Sequence, residues 1–405
     1  LRYRDFRLFW AAALVSNTGS WMQNAAVPYA IFRLTGANLD VGVTGFWLYF
    51  PMVLMGGLGG TLADRFQRKR LLVATQAIQA AFSVALWAVV VLGHASVASI
   101  SALSFGAGLA GGLNIPIWQS FVSQLVPRDT LANAVVLNST QFNAARALGP
   151  LLFGGVVATF DVEVAFLLNA ASFVAVLAVL PFIGAPQPPR PDGPRPSPWA
   201  DLVAGARYVW HTPGILACCV AIVAIAGIGN PLFSFLPASY GQEIFGVRGW
   251  ALGLLSGAGG VGALIFAPLI LTRGATMARS HLLVVAMVTY GAAVAVVGMA
   301  PVLWVALVGG LLFGGSYLAI ASAINTTIQL LAREDMRGKS IAVYIMCLTG
   351  SLPIGLAIWG AVADVIGIRV TTVAAGLLLV AVTGLLHLTG RFAAMGQADV
   401  QLAGP

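Results

Sequence analysis

Long apolar runs recur along this chain at short intervals, and nothing else in it constrains the fold as strongly. A helix needs roughly 20 predominantly apolar residues to cross the hydrocarbon of a bilayer. Runs of that kind occupy 8–33, 41–62, 71–93, 97–125, 131–159, 163–184, 214–240, 249–271, 281–300, 302–331, 339–364 and 368–390. Gly and Pro punctuate several of them, which spans tolerate when neighbouring helices satisfy the freed backbone groups. Composition agrees, with 59% hydrophobic and 8% charged residues against about 25% charged in soluble domains. The expectation is an all-α membrane protein with twelve transmembrane helices.

The 21 Lys+Arg and 13 Asp+Glu leave a net charge of +8. In a soluble chain that surplus would suggest nucleic acid. Here the basic residues sit in short loops between apolar runs, which argues against that partner and points to topology instead, because cytoplasmic loops collect Lys and Arg. Twelve spans put both ends of the chain on one side. If that side is the cytoplasm, 17 Lys+Arg fall inside and three (Arg33, Arg248 and Arg369) outside, with Arg146 within a span. A missed span would invert every later loop, so the bias supports the count as well as the orientation. The expected location is the cytoplasmic membrane, with both termini cytoplasmic and the lipid bilayer as obligatory partner.

Residues 185–198, APQPPRPDGPRPSP, form a Pro-rich linker at mid-chain. In the following WADLVAGARYVWH, the residues Trp199, Leu202, Val203, Ala206 and Trp210 recur at helical spacing. That pattern predicts a short amphipathic helix on the membrane surface. The domain reading is an N-terminal six-helix bundle over 1–184, a cytoplasmic linker with this helix over 185–213, and a C-terminal six-helix bundle over 214–405. The halves echo each other: Gln124, Leu125, Arg128 and Gly155 recur 205 residues later as Gln329, Leu330, Arg333 and Gly360. Such an echo is expected of parallel repeats that rock around a central site.

The loop after the second run reads Gly60-Thr61-Leu62-Ala63-Asp64-Arg65-Phe66-Gln67-Arg68-Lys69-Arg70. A small residue permits close helix approach, Asp64 suits the positive start of another helix, and the basic run anchors the loop on the cytoplasmic side. The stretch resembles the signature gating loop of the major facilitator superfamily, G-x-x-x-D-R-x-G-R-R, with Gln67 where the general pattern has Gly. The form D-R-x-x-R-K-R is more similar to the branch that includes the enterobactin exporter and macrolide efflux proteins. So are the opening RDFRLFWAAALVSNTGSWMQNAAVPYAIFRLTG and VPRDTLANAVVLNSTQFNAARALGPLLFGG through the fifth run. The resemblance implies the major facilitator fold, with Gly60, Asp64, Arg65, Arg68, Lys69 and Arg70 as a gating loop that steadies one state by contacting the eleventh span near Gly338, Lys339 and Ser340. Arg146, Gly149-Pro150 and Gly154-Gly155 resemble the antiporter motif of drug exporters, with three residues between the pairs where the usual motif has two.

An ionisable residue inside a span is a functional hypothesis by default, and Arg146 is the one charge well inside. In the first run Asn17, Ser20, Trp21, Asn24 and Pro28 share one helical stripe. Asn114 and Trp118 share a face of the fourth run, and Asn138 and Gln141 are neighbours on the fifth. Asn230 and Phe233 line one side of the seventh, Asn325 and Gln329 one side of the tenth. The resemblance implies that spans one, four, seven and ten line a substrate cavity, so these residues and Arg146 are its candidate lining. No Asp or Glu falls near a span centre; Asp64 and Asp364 are left as candidate proton carriers. Cys218, Cys219 and Cys347 lie in apolar runs at spacings that fit neither a metal site nor a disulfide framework. No nucleotide-binding G-x-x-x-x-G-K-[ST] loop occurs, and no nucleophile–base set lies within the runs, which argues against an enzyme. The expected function is secondary active export of a small amphipathic molecule, drug-like or siderophore in class, by a monomer that uses no cofactor and exchanges substrate for protons. The alternatives are a lysophospholipid flipping transporter and a non-transporting membrane sensor.

Overall fold

The computed structural model describes residues 2–184 and 198–396, apart from a few side chains, Asp64 and Trp199 among them. All but the last residue of the expected Pro-rich linker, 185–198, therefore lies outside the described residues. The helices are α1 (Arg4–Thr35), α2 (Asn38–Arg65), α3 (Arg68–Val91), α4 (Val97–Val122), α5 (Leu131–Thr159), α6 (Glu163–Val179), α7 (Pro198–His211), α8 (Pro213–Ala224), α9 (Asn230–Ser234), α10 (Gly249–Thr276), α11 (Arg279–Met299), α12 (Leu303–Leu331), α13 (Glu334–Ile366) and α14 (Ile368–Leu388). Helix occupies each of the twelve apolar runs, and no strand occurs among the described residues.

Ten helical stretches among the described residues are both long and apolar enough to cross a membrane. The long helices outside that set are α1 and α5. Both have the length; what they lack is apolarity, because Ser16, Asn17, Thr18, Ser20, Gln23 and Asn24 interrupt α1 and Asn138, Ser139, Thr140, Gln141, Asn143 and Arg146 interrupt α5. The two helices least suited by composition to lipid are those that carry most of the candidate site. Elsewhere large apolar side chains stand exposed, as at Leu271, Trp304, Val365 and Leu388, which suits contact with lipid tails.

The chain divides into two compact units: described residues 2–184 with 234–257, and 198–233 with 258–396. In the first, α1 packs on α5 and α6, α2 on α4, and α3 on α4 and α6. Glycine makes the α2–α4 contact possible: a methyl group at Gly112 would stand 2.6 Å from the Met52 Cα. Phe9, Trp118 and Phe121 meet at the end of this unit where α1 begins, Trp118 tilted and Phe121 edge-on, with ring centres 4.5 and 5.1 Å from Phe9. In the second unit α11 packs on α12 and α14, the counterparts of α3 on α4 and α6. The pairing of α3 with α4 and α6 thus has a counterpart in the second unit.

The seventh apolar run is not one regular helix. It comprises α8, a wide π-type turn over Ile225–Gly229, α9 and a second π-type segment over Leu236–Ile244. Pro231 and Pro237 remove backbone donors that a regular helix requires. The carbonyl that Pro231 leaves without its usual donor belongs to Gly227, and the indole of Trp359 on α13 donates to it at 2.9 Å. A neighbouring helix has taken over the missing hydrogen bond, as a span in lipid demands. Helix α7 occupies the place predicted for the short amphipathic helix. It is tied to α13 by an Asp201–Lys339 ion pair of 2.9 Å and by a hydrogen bond from the Arg333 backbone N–H to the Tyr208 hydroxyl at 3.1 Å.

Candidate functional site

The polar residues of α1 meet partners on α3, α5 and α6 of the first unit. Asn17 donates to the Gln141 Oε1 at 3.2 Å, joining α1 to α5. Gln141 is 1% exposed, and its Nε2 has no hydrogen-bond partner among the described residues. A buried amide donor without a partner is costly, so this atom is suited to meet a water molecule or a ligand. Trp118 donates its indole N–H to Asn138 at 3.3 Å, and Trp10 donates to the Leu137 carbonyl at 2.9 Å. Asn114 lies among α3 residues: its Oδ1 accepts from Thr75 at 2.8 Å and Gln76 at 3.4 Å. Ser16 in turn donates to Gln76 at 3.3 Å.

A second chain of amides and hydroxyls lies farther along α1. Asn169 on α6 donates to Gln23 at 2.8 Å and to Ser83 at 3.1 Å. These groups border a cavity of about 120 Å³ that Ser20, Asn24, Tyr49 and Gln79 also line. A water occupies about 30 Å³ of liquid, so the cavity admits several waters or the polar end of a ligand. Among the described residues no Asp or Glu lines it. Ser20 and Asn24 are the members of this wall that the sequence stripe singles out. Gln23, Gln76, Gln79, Ser83 and Asn169 were missed, although Gln76, Gln79 and Ser83 recur at helical spacing within the apolar third run.

Arg146 is half-buried, with its guanidinium carbon 5.5 Å from the centre of the Trp21 ring. Trp21 also meets Phe142 edge-on at 5.7 Å. A cation over an indole face is stabilised by the ring quadrupole, more so away from water. Gly149 sets the distance: a methyl there would stand 2.5 Å from the Trp21 Cβ and 2.7 Å from the Met22 N. Only glycine lets α5 approach α1 closely enough at this level. Farther along α5, Gly154 abuts the backbone of Gly249 and Gly253, and Gly155 faces the Trp250 ring. Pro150 is buried beside Gly149. The helix-five motif is thus a row of backbone approaches with one cation at its inner edge.

The candidate residues of the second unit have another environment. Asn230 accepts a hydrogen bond from the Tyr290 hydroxyl at 2.9 Å, and Phe233 stacks on Phe313 at 3.9 Å. Asn325 and Gln329 bond to each other along α12.

In the candidate gating loop the side chains of Arg68 and Lys69 close helix ends. Arg68 donates to the Ser120 carbonyl in the last turn of α4 at 2.9 Å, and Lys69 to the Ile183 carbonyl beyond α6 at 3.0 Å. Cations are favoured at such carbonyl-rich helix ends. Arg65 and Arg70 are exposed. Gly60 has open space where a methyl would stand, and the close approach to α4 is made by Gly59 instead, against Leu113 and Pro116. The Asp64 side chain is outside the described residues. Asp364 is exposed in the last turn of α13. No cluster of potential metal ligands occurs among the described residues.

The chain is similar over nearly its whole length to known transporters. It is 26% identical over 377 residues to the multidrug efflux pump Tap of Mycolicibacterium fortuitum, covering 90% of this chain and 91% of that one. It is 26% identical over 399 residues to the enterobactin exporter EntS of Salmonella typhimurium, covering 94% and 93%. Among solved structures, a bacterial homolog of the human lysosomal transporter Spinster, inward-facing and unoccupied, superposes with a TM-score of 0.74 at 14% identity, covering 98% of both chains. A peptide transporter of the POT family superposes with a TM-score of 0.78 at 15% identity, covering 98% and 96%. These likenesses identify the fold as that of the major facilitator transporters. A family model described as transmembrane secretion effector matches residues 1–402. The long apolar helices, the loop 60–70 and that match agree: the chain is an integral membrane protein belonging to the transmembrane secretion effector family of the major facilitator superfamily.

Proposed function

We propose that this protein exports small amphipathic molecules, drug-like compounds or siderophores, across the cytoplasmic membrane, with both termini cytoplasmic and an inward flow of protons as the energy source. The observation that carries the reading is the site on α1: a carboxylate-free cavity lined by amides and hydroxyls, with Arg146 held over Trp21 on the same helix. Amides offer donors and acceptors to neutral polar groups, the indole offers an apolar face, and the guanidinium offers charge to an anion. That set favours neutral or anionic aromatic molecules over permanent cations. Support for the direction of transport comes from the names of the relatives, an efflux pump and an exporter. The protein works as a monomer and needs no cofactor; Asp64 and Asp364 are the candidate proton carriers.

The deciding experiment is uptake into inverted membrane vesicles, with and without an imposed pH gradient, across a panel of drugs, siderophores and lysophospholipids. Gradient-dependent uptake of aromatic drugs or siderophores is the expected result. Uptake that ignores the pH gradient would remove proton exchange, and movement of lysophospholipid alone would replace export with lipid flipping. Asp64→Asn is expected to slow transport while leaving ligand binding intact, as equilibrium binding to purified protein would show. Equal loss of both would take Asp64 out of the gate.

A further inference from the structure

A second cavity lies at the far end of α1 from the gating loop, wholly within the first unit. Its volume is about 330 Å³, within the usual range for small-ligand sites of roughly 300–1,000 Å³. Arg33 from the last turn of α1, Asp161 from the α5–α6 junction, and Gln242 and Arg248 from the segment before α10 supply its polar wall. Phe160 and Val247 contribute apolar surface to the same space. The segment is held in place by Gln242, which donates to the Tyr29 carbonyl at 3.0 Å, and by a hydrogen bond between Ser239 and Asn38.

The charges do not balance. Arg33 and Asp161 form an ion pair of 3.2 Å, both more than half exposed. Arg248 is exposed and has no ion-pair or hydrogen-bond partner among the described residues. Two guanidinium groups and one carboxylate leave the cavity with a surplus positive charge. Guanidinium forks match carboxylates, sulfonates and phosphates, and charge-assisted bonds of this kind are among the stronger polar contacts. A polar site with an apolar patch at Phe160 and Val247 and one unmatched guanidinium suits an amphipathic monoanion.

We propose that this cavity is a binding site for amphipathic monoanions, with Arg248 as its anion-holding residue. It is separate from the amide-lined cavity. Arg33 lies nine residues beyond Asn24 on α1, a rise of about 13 Å. With the orientation inferred from the loop charges, the site opens on the non-cytoplasmic side. The same chemistry would accept a free aryl acid or the headgroup of an anionic lipid.

Photolabelling of the purified full-length chain with 4-benzoylbenzoate tests this, with the methyl ester of that acid as the uncharged control. The acid is expected to label peptides spanning 157–162 and 242–248, and the ester to label them far less. Arg248→Gln should reduce labelling by the acid about tenfold, the scale of a lost charge-assisted hydrogen bond, and Arg248→Lys should retain most of it. Equal labelling by acid and ester, or labelling unchanged in Arg248→Gln, would overturn the proposal. Repeating the experiment in nanodiscs with and without phosphatidylglycerol separates the two anion sources. Suppression by that lipid assigns the site to a headgroup, and persistence assigns it to a free amphiphile; either outcome keeps the anion chemistry. Labelling is read without transport, so a failed export assay beside intact Arg248-dependent labelling would count against the export reading alone.

Discussion

The two units treat their polar residues in opposite ways. In the first, Asn17, Gln23, Gln76, Asn114, Gln141 and Asn169 bond side chain to side chain across helices. The network leaves a cavity beside it and one buried amide donor unused. In the second, Asn230 meets Tyr290, whose ring stands 4.4 Å from Phe313, while Phe233 stacks on the other side of the same cluster. There the polar group is absorbed into aromatic packing. The contrast puts the exchangeable amide contacts in the first unit and aromatic packing in this part of the second. A network of amides can exchange one partner for a ligand group at small cost, whereas a stacked aromatic cluster loses contact area with any rearrangement.

Substitutions at named positions can break or sharpen this contrast. The largest expected effect is at Asn169. Asn169→Leu strands Gln23 and Ser83 inside the bundle, a loss of about 2–3 kcal/mol, read as a lower melting temperature in detergent together with weaker substrate binding. A stable variant with unchanged binding would remove the network from the site. Gly149→Ala comes next: overpacking against the α1 backbone should destabilise by about 1–3 kcal/mol and raise KM, while Gly60→Ala, with open space around it, should do neither. Arg146→Ala should lower kcat/KM about tenfold for anionic aromatic substrates and less for neutral ones. Unchanged kinetics across a substrate panel would exclude Arg146 from recognition. The smallest effect is expected in the second unit. Tyr290→Phe removes one interhelical hydrogen bond, about 0.6 kcal/mol, without moving the substrate range. A change in substrate range there as large as that of Arg146→Ala would abolish the distinction between the units.

Much of the fold was legible because a bilayer imposes a length on every span and an apolar composition on most, and a run such as 281–300 satisfies both without reference to its neighbours. The seventh run shows where that ends. Pro231 and Pro237 were visible in the sequence, but the response, a π-type turn whose free carbonyl is taken by Trp359, depends on a helix more than a hundred residues away. The candidate site was legible in the same partial way. Asn17, Trp21, Asn24 and Arg146 stood out because polar residues in apolar runs are conspicuous. Gln79, Ser83 and Asn169 were equally conspicuous in kind, yet they lie on helices that the family resemblance does not assign to the cavity.

The order of apolar runs, the loop charges and the Gly-Pro and Gly-Gly pairs were determined by the sequence alone, since each rests on local composition or on helical spacing. Which amide faces which, and that Gly149 rather than Gly60 marks a close approach, was decided only in the tertiary structure. A helical stripe says which side chains share a face, while hydrogen bonds of about 3 Å require two helices to meet in one particular register. That register follows from the packing of small and large side chains along the whole contact, and no single run contains it.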